Sequence, residues 1–149
     1  MMKIVRTNSE NKDFINLVKY LDAYLKITDG DEHDFYNQFN HIDVLQHVVV
    51  IYKDDVAMGC GAIKKFNSDA MEVKRMYVAP EERGTGFAQK ILTELEVWAK
   101  ELGHKKCVLE TGKRQKEAVH FYDKCDYKVI PNYGQYIGME NSICFEKEL

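Results

Sequence analysis

The sequence predicts a single domain built on a mixed α/β sheet with helices on both faces. Three observations support this fold class. The chain has 149 residues, of which 45% are hydrophobic and 30% charged, the size and composition of one globular domain. Three strand-like runs separated by short polar turns occupy residues 46–78, which favours antiparallel pairing. A strand–helix–strand unit follows over 71–110, which favours one parallel pair.

The N-terminal part of the chain predicts a strand and two helices. The strand covers Lys3–Arg6, and Asn8 or Ser9 then offers an N-cap for a helix. That helix should end near Thr28–Gly30, where glycine can adopt the left-handed conformation. A second helix is predicted over 32–40. The apolar residues at helical spacing in the first helix are Phe14, Leu17, Val18, Leu21 and Leu25.

The middle of the chain predicts three consecutive antiparallel strands. Residues 46–52 form a nearly continuous β-branched run, which is typical of a buried strand. Residues 56–66 and 71–78 follow after short turns and form the second and third strands. Gly59 and Gly61 lie inside the second strand and indicate a bulge or the close approach of another backbone.

The C-terminal half adds two helices and three further strands. An amphipathic helix covers about 84–102, a short strand 106–110 and a second helix about 114–124. Two final strands lie near 127–130 and 142–147. The chain therefore contains six to seven predicted strands in one sheet, and residues 1–149 form one domain.

A glycine-rich turn lies between the third strand and the helix that follows it. Its residues are Arg83, Gly84, Thr85 and Gly86. The first N–H groups of a helix have no partner within the helix, and the helix dipole makes this end partly positive. Glycines remove the Cβ atoms that would keep an anion away, and arginine can hold a phosphate with two hydrogen bonds. The turn therefore predicts a site for a phosphorylated ligand.

Two segments of the chain resemble one family. The turn lacks the third glycine of a dinucleotide fingerprint and the Gly-Lys-Ser/Thr of a Walker loop. Residues 83–88 instead fit Arg/Gln-x-x-Gly-x-Gly/Ala and resemble the acetyl-CoA pyrophosphate loop of the GNAT superfamily of N-acetyltransferases. Residues 117–127 are similar to that family's Ala-x-x-x-Tyr-Glu-Lys-x-Gly-Phe segment. Asp126 replaces its glycine, and Gln115 lies near the position of a CoA-contacting asparagine.

The resemblance implies a fold, a cofactor and a set of contacts. It implies that strands four and five are parallel and splay apart, and that acetyl-CoA binds with its pantetheine in the gap. It also implies backbone donors for the thioester carbonyl and the pyrophosphate. The implied cofactor-binding residues are Met76, Tyr77, Val78, Arg83, Gly84, Thr85, Gly86, Phe87, Ala88 and Gln115.

Two residues are catalytic candidates through the same resemblance. Tyr122 matches a family tyrosine that protonates the departing thiolate, although an aromatic residue at helical spacing is also typical of a core. Glu72 lies where some members place a catalytic base, because an amine that arrives as ammonium must lose a proton. Strict alternation places Glu72 on the face of Lys74, Met76 and Val78, where it could be an ordinary ion-pair partner. Both interpretations of Glu72 stay open.

Four residues are candidates for the acceptor site. Arg75 could hold a substrate carboxylate, or it could be an ordinary strand arginine. Tyr133 and Tyr136 lie in the loop before the last strand, a region that contributes to acceptor sites in the family. Glu32 belongs to an acidic cluster that could attract a cationic amine, although such clusters also suit the start of a helix.

The composition of the chain limits the classes of partner and the cellular location that we expect for the protein. A net charge of −3 gives no electrostatic reason to bind nucleic acid or anionic lipid. There is no apolar run of membrane-spanning length and no signal-peptide core, so we expect a cytoplasmic protein. The four cysteines are scattered through apolar stretches and predict reduced core thiols, and the five histidines show no metal spacing. The short terminal strands leave a homodimer open.

The sequence thus predicts an N-acetyltransferase that moves an acetyl group from acetyl-CoA to a primary amine of a small molecule or amino acid, by direct attack in a ternary complex. The alternatives are a protein N-terminal or lysine acetyltransferase, a non-catalytic acyl-CoA-binding regulatory module, and a nucleotide-binding protein. Fold-level resemblance does not specify the acceptor.

Overall fold

The computed structural model describes residues 1–32 and 45–149. The helix predicted over 32–40 lies, apart from Glu32, outside the described residues. None of the helices in the described ranges combines the length and the apolar character that crossing a bilayer requires.

Within the described ranges the chain forms strands, helices and three short 3₁₀ turns. The strands are β1 Met2–Thr7, β2 His47–Lys53, β3 Val56–Lys65, β4 Ala70–Val78, β5 Lys106–Gly112, β6 Lys128–Ile130 and β7 Ser142–Glu148. The α-helices are α1 Lys12–Asp29, α2 Phe87–Glu101 and α3 Lys116–Lys124. The 3₁₀ turns are Gly30–Glu32, Pro80–Glu82 and Gly134–Tyr136.

All seven strands belong to one sheet in the order β1-β2-β3-β4-β5-β7-β6. Every neighbouring pair is antiparallel except β4 and β5, which are parallel. Ladder pairing between β4 and β5 covers only Ala70–Glu72 against Lys106–Val108. Beyond these pairs β4 continues to Val78 and β5 to Gly112, so the two strands separate. The predicted fold class, with its parallel and splayed fourth and fifth strands, is confirmed.

Apolar side chains cover both faces of the sheet. The larger cluster holds α2 and α3 against one face, with Ile91, Leu92 and Leu95 of α2 almost fully buried. The smaller cluster holds α1 against the other face through Phe14, which is 0% exposed, and Leu17. Burying such side chains on both faces supplies the hydrophobic free energy that holds the helices to the sheet.

The helix starts differ from the predicted positions for local reasons. Asn11, and neither Asn8 nor Ser9, caps α1, because its Oδ1 accepts a 2.9 Å hydrogen bond from the Phe14 amide. The Asn8 side chain instead accepts from the amide of Glu10. α2 begins at Phe87 rather than Gly84, because the left-handed backbone of the intervening turn cannot continue a helix.

A bulge in β4 overturns the strict alternation that was predicted around Glu72. Tyr77 pairs with Cys60 and Lys74 with Ala62, so two residues of β4 stand opposite Gly61. Arg75 adopts a φ of 60° at this point. The side chains before and after the bulge are therefore out of phase.

Val73 and Val78 both reach the larger core cluster although they are five residues apart, which confirms the change of phase. Met76 packs against the same cluster. The prediction that Glu72 shares a face with Met76 and Val78 is wrong, and Glu72 lies on the opposite face with Lys74. The bulge indicated by Gly59 and Gly61 is confirmed, and a Cβ at Gly61 would lie 2.5 Å from the Met76 Sδ.

The four cysteines are free thiols. Burial raises the pKa of Cys60 and of Cys107 to about 12 and that of Cys144 to about 11. Such thiols stay protonated and unreactive at neutral pH. The prediction of core thiols is confirmed for Cys60, Cys107 and Cys144, whereas Cys125 is only half-buried.

Candidate active site

The separation of β4 from β5 creates two adjoining hollows. The first, which we call the open cleft, has a volume of about 460 Å³ and lies among the end of β4, the 83–86 turn, the start of α2, and α3. The second, the inner cavity, has a volume of about 120 Å³ and lies between β4 and β5. The two hollows share part of their lining, including Met76, Gln115 and Tyr122.

The glycine-rich turn presents open space to the cleft. Gly84 and Gly86 have φ values of 80° and 88°, and a Cβ built on either would meet no atom within 4 Å. Both glycines line the cleft. Gly86 occupies the N-cap position of α2, and no side chain caps that helix. The turn therefore offers uncapped helix-start amides to an anion, as the sequence predicts.

Arg83 is held at the edge of the cleft by three contacts. Its Nε donates a 3.0 Å hydrogen bond to the carbonyl of Val78. Its guanidinium carbon lies 5.8 Å from the ring centroid of Tyr24 and 5.8 Å from that of Tyr77. These distances lie within the range of cation–π attraction. Tyr24 belongs to α1, so this helix contributes to the cleft, which the sequence did not indicate.

The other predicted cofactor residues divide into two groups. The first group lines the cleft together with Arg83, Gly84 and Gly86, and its members are Met76, Tyr77, Val78, Ala88 and Gln115. Thr85 and Phe87 do not line it. The Thr85 hydroxyl donates to the carbonyl of Glu82, and the Phe87 side chain is buried in the core. These two residues can offer only backbone groups to a ligand.

Tyr122 lies where the two hollows meet. Its ring packs against Phe121, Tyr127 and Phe145 at centroid distances of 5.2, 5.8 and 6.0 Å. Its side chain is buried, and burial raises the pKa of its phenol above the usual value. Tyr122 therefore keeps its proton at neutral pH and can donate it.

Glu72 lines the inner cavity and has two neighbours that orient it. The Tyr133 hydroxyl donates a 2.6 Å hydrogen bond to Oε2 of Glu72. The Nζ of Lys74 lies 3.8 Å from Oε1. The Tyr133 ring is itself held between Phe66 and Tyr136, at centroid distances of 4.7 and 5.8 Å. The carboxylate of Glu72 therefore has a defined orientation in the cavity wall.

Glu110 and Lys74 also line the inner cavity, although sequence analysis assigned neither to the site. Glu110 lies on β5, two residues after Val108, which is the ladder partner of Glu72 on β4. The Lys74 side chain is buried, and this burial lowers the pKa of its amine although Glu72 and Glu110 oppose the shift. The proximity of Lys74 to Glu72 follows from the strand alternation that the sequence predicted, whereas the position of Glu110 depends on the pairing of β5 with β4 and has no local signal in the sequence.

The remaining acceptor-site candidates have different surroundings. Arg75 lines the inner cavity, but its guanidinium forms an ion pair with Asp22 of α1. Tyr136 is buried and also lines the cavity. Glu32 lies outside the lining of both hollows, 4.0 Å from the guanidinium of Arg114. No group of three or more potential metal ligands occurs within residues 1–32 and 45–149.

The family resemblance implies that an acyltransferase has a sheet that opens beside a glycine-rich helix start, with a tyrosine at the opening. The structure has this arrangement, and its helix start is uncapped and its tyrosine buried. Residues 14–127 match the model of the Acetyltransferase (GNAT) family. The chain belongs to this family. The predicted family and the class of acyltransferase are thereby confirmed.

Individual relatives agree with this assignment. The IAA acetyltransferase of Azospirillum brasilense is 29% identical over 154 aligned positions, covering 98% of this chain and 97% of that protein. The N-acetyltransferase YjgM of Escherichia coli, described as uncharacterized, is 36% identical over 84 positions. That match spans 55% of this chain and half of YjgM.

Solved structures show the same fold. A Klebsiella pneumoniae protein described as an acyl-CoA N-acyltransferase has a TM-score of 0.83 and 27% identity, covering 100% of this chain and 98% of that one. A GNAT acetyltransferase from Elizabethkingia anophelis, crystallised with acetyl-CoA, has a TM-score of 0.72 and 17% identity over 99% of this chain and 98% of that one. Acetyl-CoA, the expected cofactor, is the one that the family uses.

Proposed function

We propose that this protein transfers an acetyl group from acetyl-CoA to a primary amine of a small molecule, by direct attack in a ternary complex. The observation that carries the proposal is the meeting of the two hollows at Tyr122. The open cleft leads from the glycine-rich turn to Tyr122, and the inner cavity lies on the other side of the same residue. A cofactor site and an acceptor site that share one wall suit a reaction between two bound substrates.

The residues of the open cleft fit the cofactor. The amides of Arg83–Ala88 and the Arg83 side chain would hold its pyrophosphate, because Gly84 and Gly86 leave the space in front of them clear. The backbone of Met76 and Val78, which has no ladder partner on the β5 side, would hold its pantetheine. Tyr77 and Gln115 would complete the cleft wall. Acetyl-CoA supplies the activated acetyl thioester.

The chemistry of the protein's own residues is proton transfer. Glu72 takes the proton that an ammonium acceptor must lose before its nitrogen can attack, and Tyr133 holds the Glu72 carboxylate in place. Tyr122 donates its phenolic proton to the sulfur that departs, and burial keeps that proton in place until then. Tyr136 and Arg75 shape the acceptor side.

The size of the inner cavity favours a small acceptor over a peptide. About 120 Å³ admits an amine with a short stem. A protein acetyltransferase needs an open path for a peptide, and a regulatory module needs neither Glu72 nor Tyr122.

Release of free thiol from acetyl-CoA across a panel of small amines, peptides and no acceptor tests this proposal. We expect turnover with at least one small amine. Binding of acetyl-CoA by calorimetry without turnover on any acceptor would instead indicate a regulatory module, and preferential turnover of peptides would indicate a protein acetyltransferase.

The contact between Tyr24 and Arg83 yields a prediction about cofactor affinity. Tyr24→Leu removes one of the two rings that hold the guanidinium, so we expect the Kd for acetyl-CoA to rise about 3- to 10-fold. Tyr24→Phe keeps the ring and should bind like the parent. Tyr20→Leu is the control, because Tyr20 lies one turn earlier on α1 and is 66% exposed. Equal affinities for Tyr24→Leu and Tyr20→Leu, measured by calorimetry, would contradict the role of Tyr24.

A further inference from the structure

A buried acidic residue lies beside the turn that we propose for the cofactor pyrophosphate. Glu82 ends the 3₁₀ turn that precedes Arg83, and its side chain is 8% exposed. Glu82 also lines the open cleft, together with Gly84 and Gly86. Because Glu82 and Gly84 are two residues apart, their Cα atoms lie within about 7 Å of each other. A negative charge at this place opposes the binding of an anion.

The main chain holds Glu82 in place. Its amide donates a 2.9 Å hydrogen bond to the carbonyl of Ala79, and the Ala79 amide donates a 2.7 Å hydrogen bond to the carbonyl of Met58 on β3. The carbonyl of Glu82 accepts the hydrogen bond of the Thr85 hydroxyl. None of these bonds uses the carboxylate, so replacing Glu82 with glutamine leaves all of them in place.

Lys53 is the cation that faces this carboxylate. Its Nζ donates a 2.8 Å hydrogen bond to Oε1 of Glu82, although Lys53 ends β2, 29 residues earlier in the chain. This hydrogen bond raises the pKa of the Lys53 amine, so the amine is charged at neutral pH. Within residues 1–32 and 45–149, Glu82 forms no other ion pair. Lys53 therefore neutralises the charge beside the turn.

Loss of Lys53 would leave the Glu82 carboxylate unpaired. An ion pair between two exposed side chains contributes little, because water screens both charges. The Glu82 side chain is nearly buried, so water replaces the missing ammonium poorly and the remaining charge acts on its surroundings with less screening. A pyrophosphate in the adjoining turn would then be repelled.

We propose that Lys53 determines the affinity for acetyl-CoA by neutralising Glu82 next to the pyrophosphate. Lys53 lines neither hollow, so it is a positioning residue that acts through Glu82. The inference rests on the proposed function and adds to its cofactor site a residue of β2 that does not touch the cofactor.

Calorimetric titration with acetyl-CoA at low ionic strength tests the inference, because the two single variants have opposite expectations. Lys53→Gln should raise the Kd about 10-fold, and Lys53→Arg should restore the value of the parent. Glu82→Gln should lower the Kd, because Lys53 then keeps its charge without an opposing carboxylate. A higher Kd in both glutamine variants would show that the ion pair only holds the turn in shape, and would overturn the inference.

A double variant and a control complete the test. Lys53→Gln combined with Glu82→Gln should return the Kd to about the value of the parent, because the unpaired charge is gone. Lys128→Gln removes an exposed lysine of β6, at the other edge of the sheet, and should bind like the parent. Thermal unfolding reports whether each variant is folded.

Two results would contradict the role of Lys53: a folded Lys53→Gln variant with the Kd of the parent, or a parent protein that does not bind acetyl-CoA. The expected changes in Kd without acetyl transfer to any amine would support the inference while contradicting the proposed function. Acetyl transfer with equal Kd values in the parent and Lys53→Gln would have the reverse meaning.

Discussion

Replacing Tyr122 with phenylalanine is expected to lower kcat by about 100-fold or more, the usual contribution of a general acid. Phenylalanine keeps the ring contacts with Phe121, Tyr127 and Phe145 and removes only the hydroxyl. The Kd for acetyl-CoA should therefore change little. Steady-state kinetics with a reactive amine, together with calorimetry, measure the two effects separately.

Tyr127→Phe is the matched control for that experiment. Tyr127 is a buried tyrosine beside Tyr122, but its hydroxyl donates a 2.8 Å hydrogen bond to Glu96 and it lines neither hollow. Loss of this hydroxyl group should lower the free energy of unfolding by about 1 kcal/mol and leave kcat unchanged. An unchanged kcat in Tyr122→Phe, or an equal loss in both variants, would show that Tyr122 only packs the core.

Replacing Gly86 with valine is expected to weaken acetyl-CoA binding about 100-fold. The φ of 88° strains any residue with a Cβ, and the new side chain projects into the open cleft in front of the helix start. Losing about two hydrogen bonds to a charged group accounts for a change of this size. Calorimetric titration with acetyl-CoA measures it.

Gly103 provides an unusually close control. It ends α2 with a φ of 91°, and a Cβ built on it also meets nothing within 4 Å. Gly103 lies outside both hollows, so Gly103→Val should lose a similar amount of stability, roughly 1–3 kcal/mol, and keep its affinity for acetyl-CoA. If both valine variants bound acetyl-CoA equally well, the turn at Gly86 would not be the phosphate site.

The order of strands and helices was predictable because it depends on local patterns. Runs of β-branched residues, turns and helical spacing identified every strand of the described sheet, and the strand–helix–strand unit predicted that β4 and β5 are parallel. The predicted starts of α1 and α2 differ from the observed starts by three residues or fewer. Several consecutive polar or glycine residues precede each helix, and each of them is a possible N-cap.

The identity of residue 75 does not predict the bulge that the structure shows at Arg75. Arginine rarely adopts a positive φ, and the packing of Gly61 against α2 and Met76 imposes the extra residue in β4. That single residue decides which face Glu72 occupies, and hence that it reaches Tyr133 instead of the core.

The sequence by itself determined the glycine-rich turn at Arg83–Gly86, which we propose binds a phosphate, and the candidate tyrosine at 122, because each lies in a contiguous segment whose residue types and spacing are informative. Only the tertiary structure decided that Tyr24 packs on Arg83, that Asp22 forms an ion pair with Arg75 and that Glu110 and Glu72 line the same cavity. These contacts join residues far apart in the chain. Their geometry follows from how α1 and β5 pack against β4, and packing of that kind leaves no trace in the local order of residues.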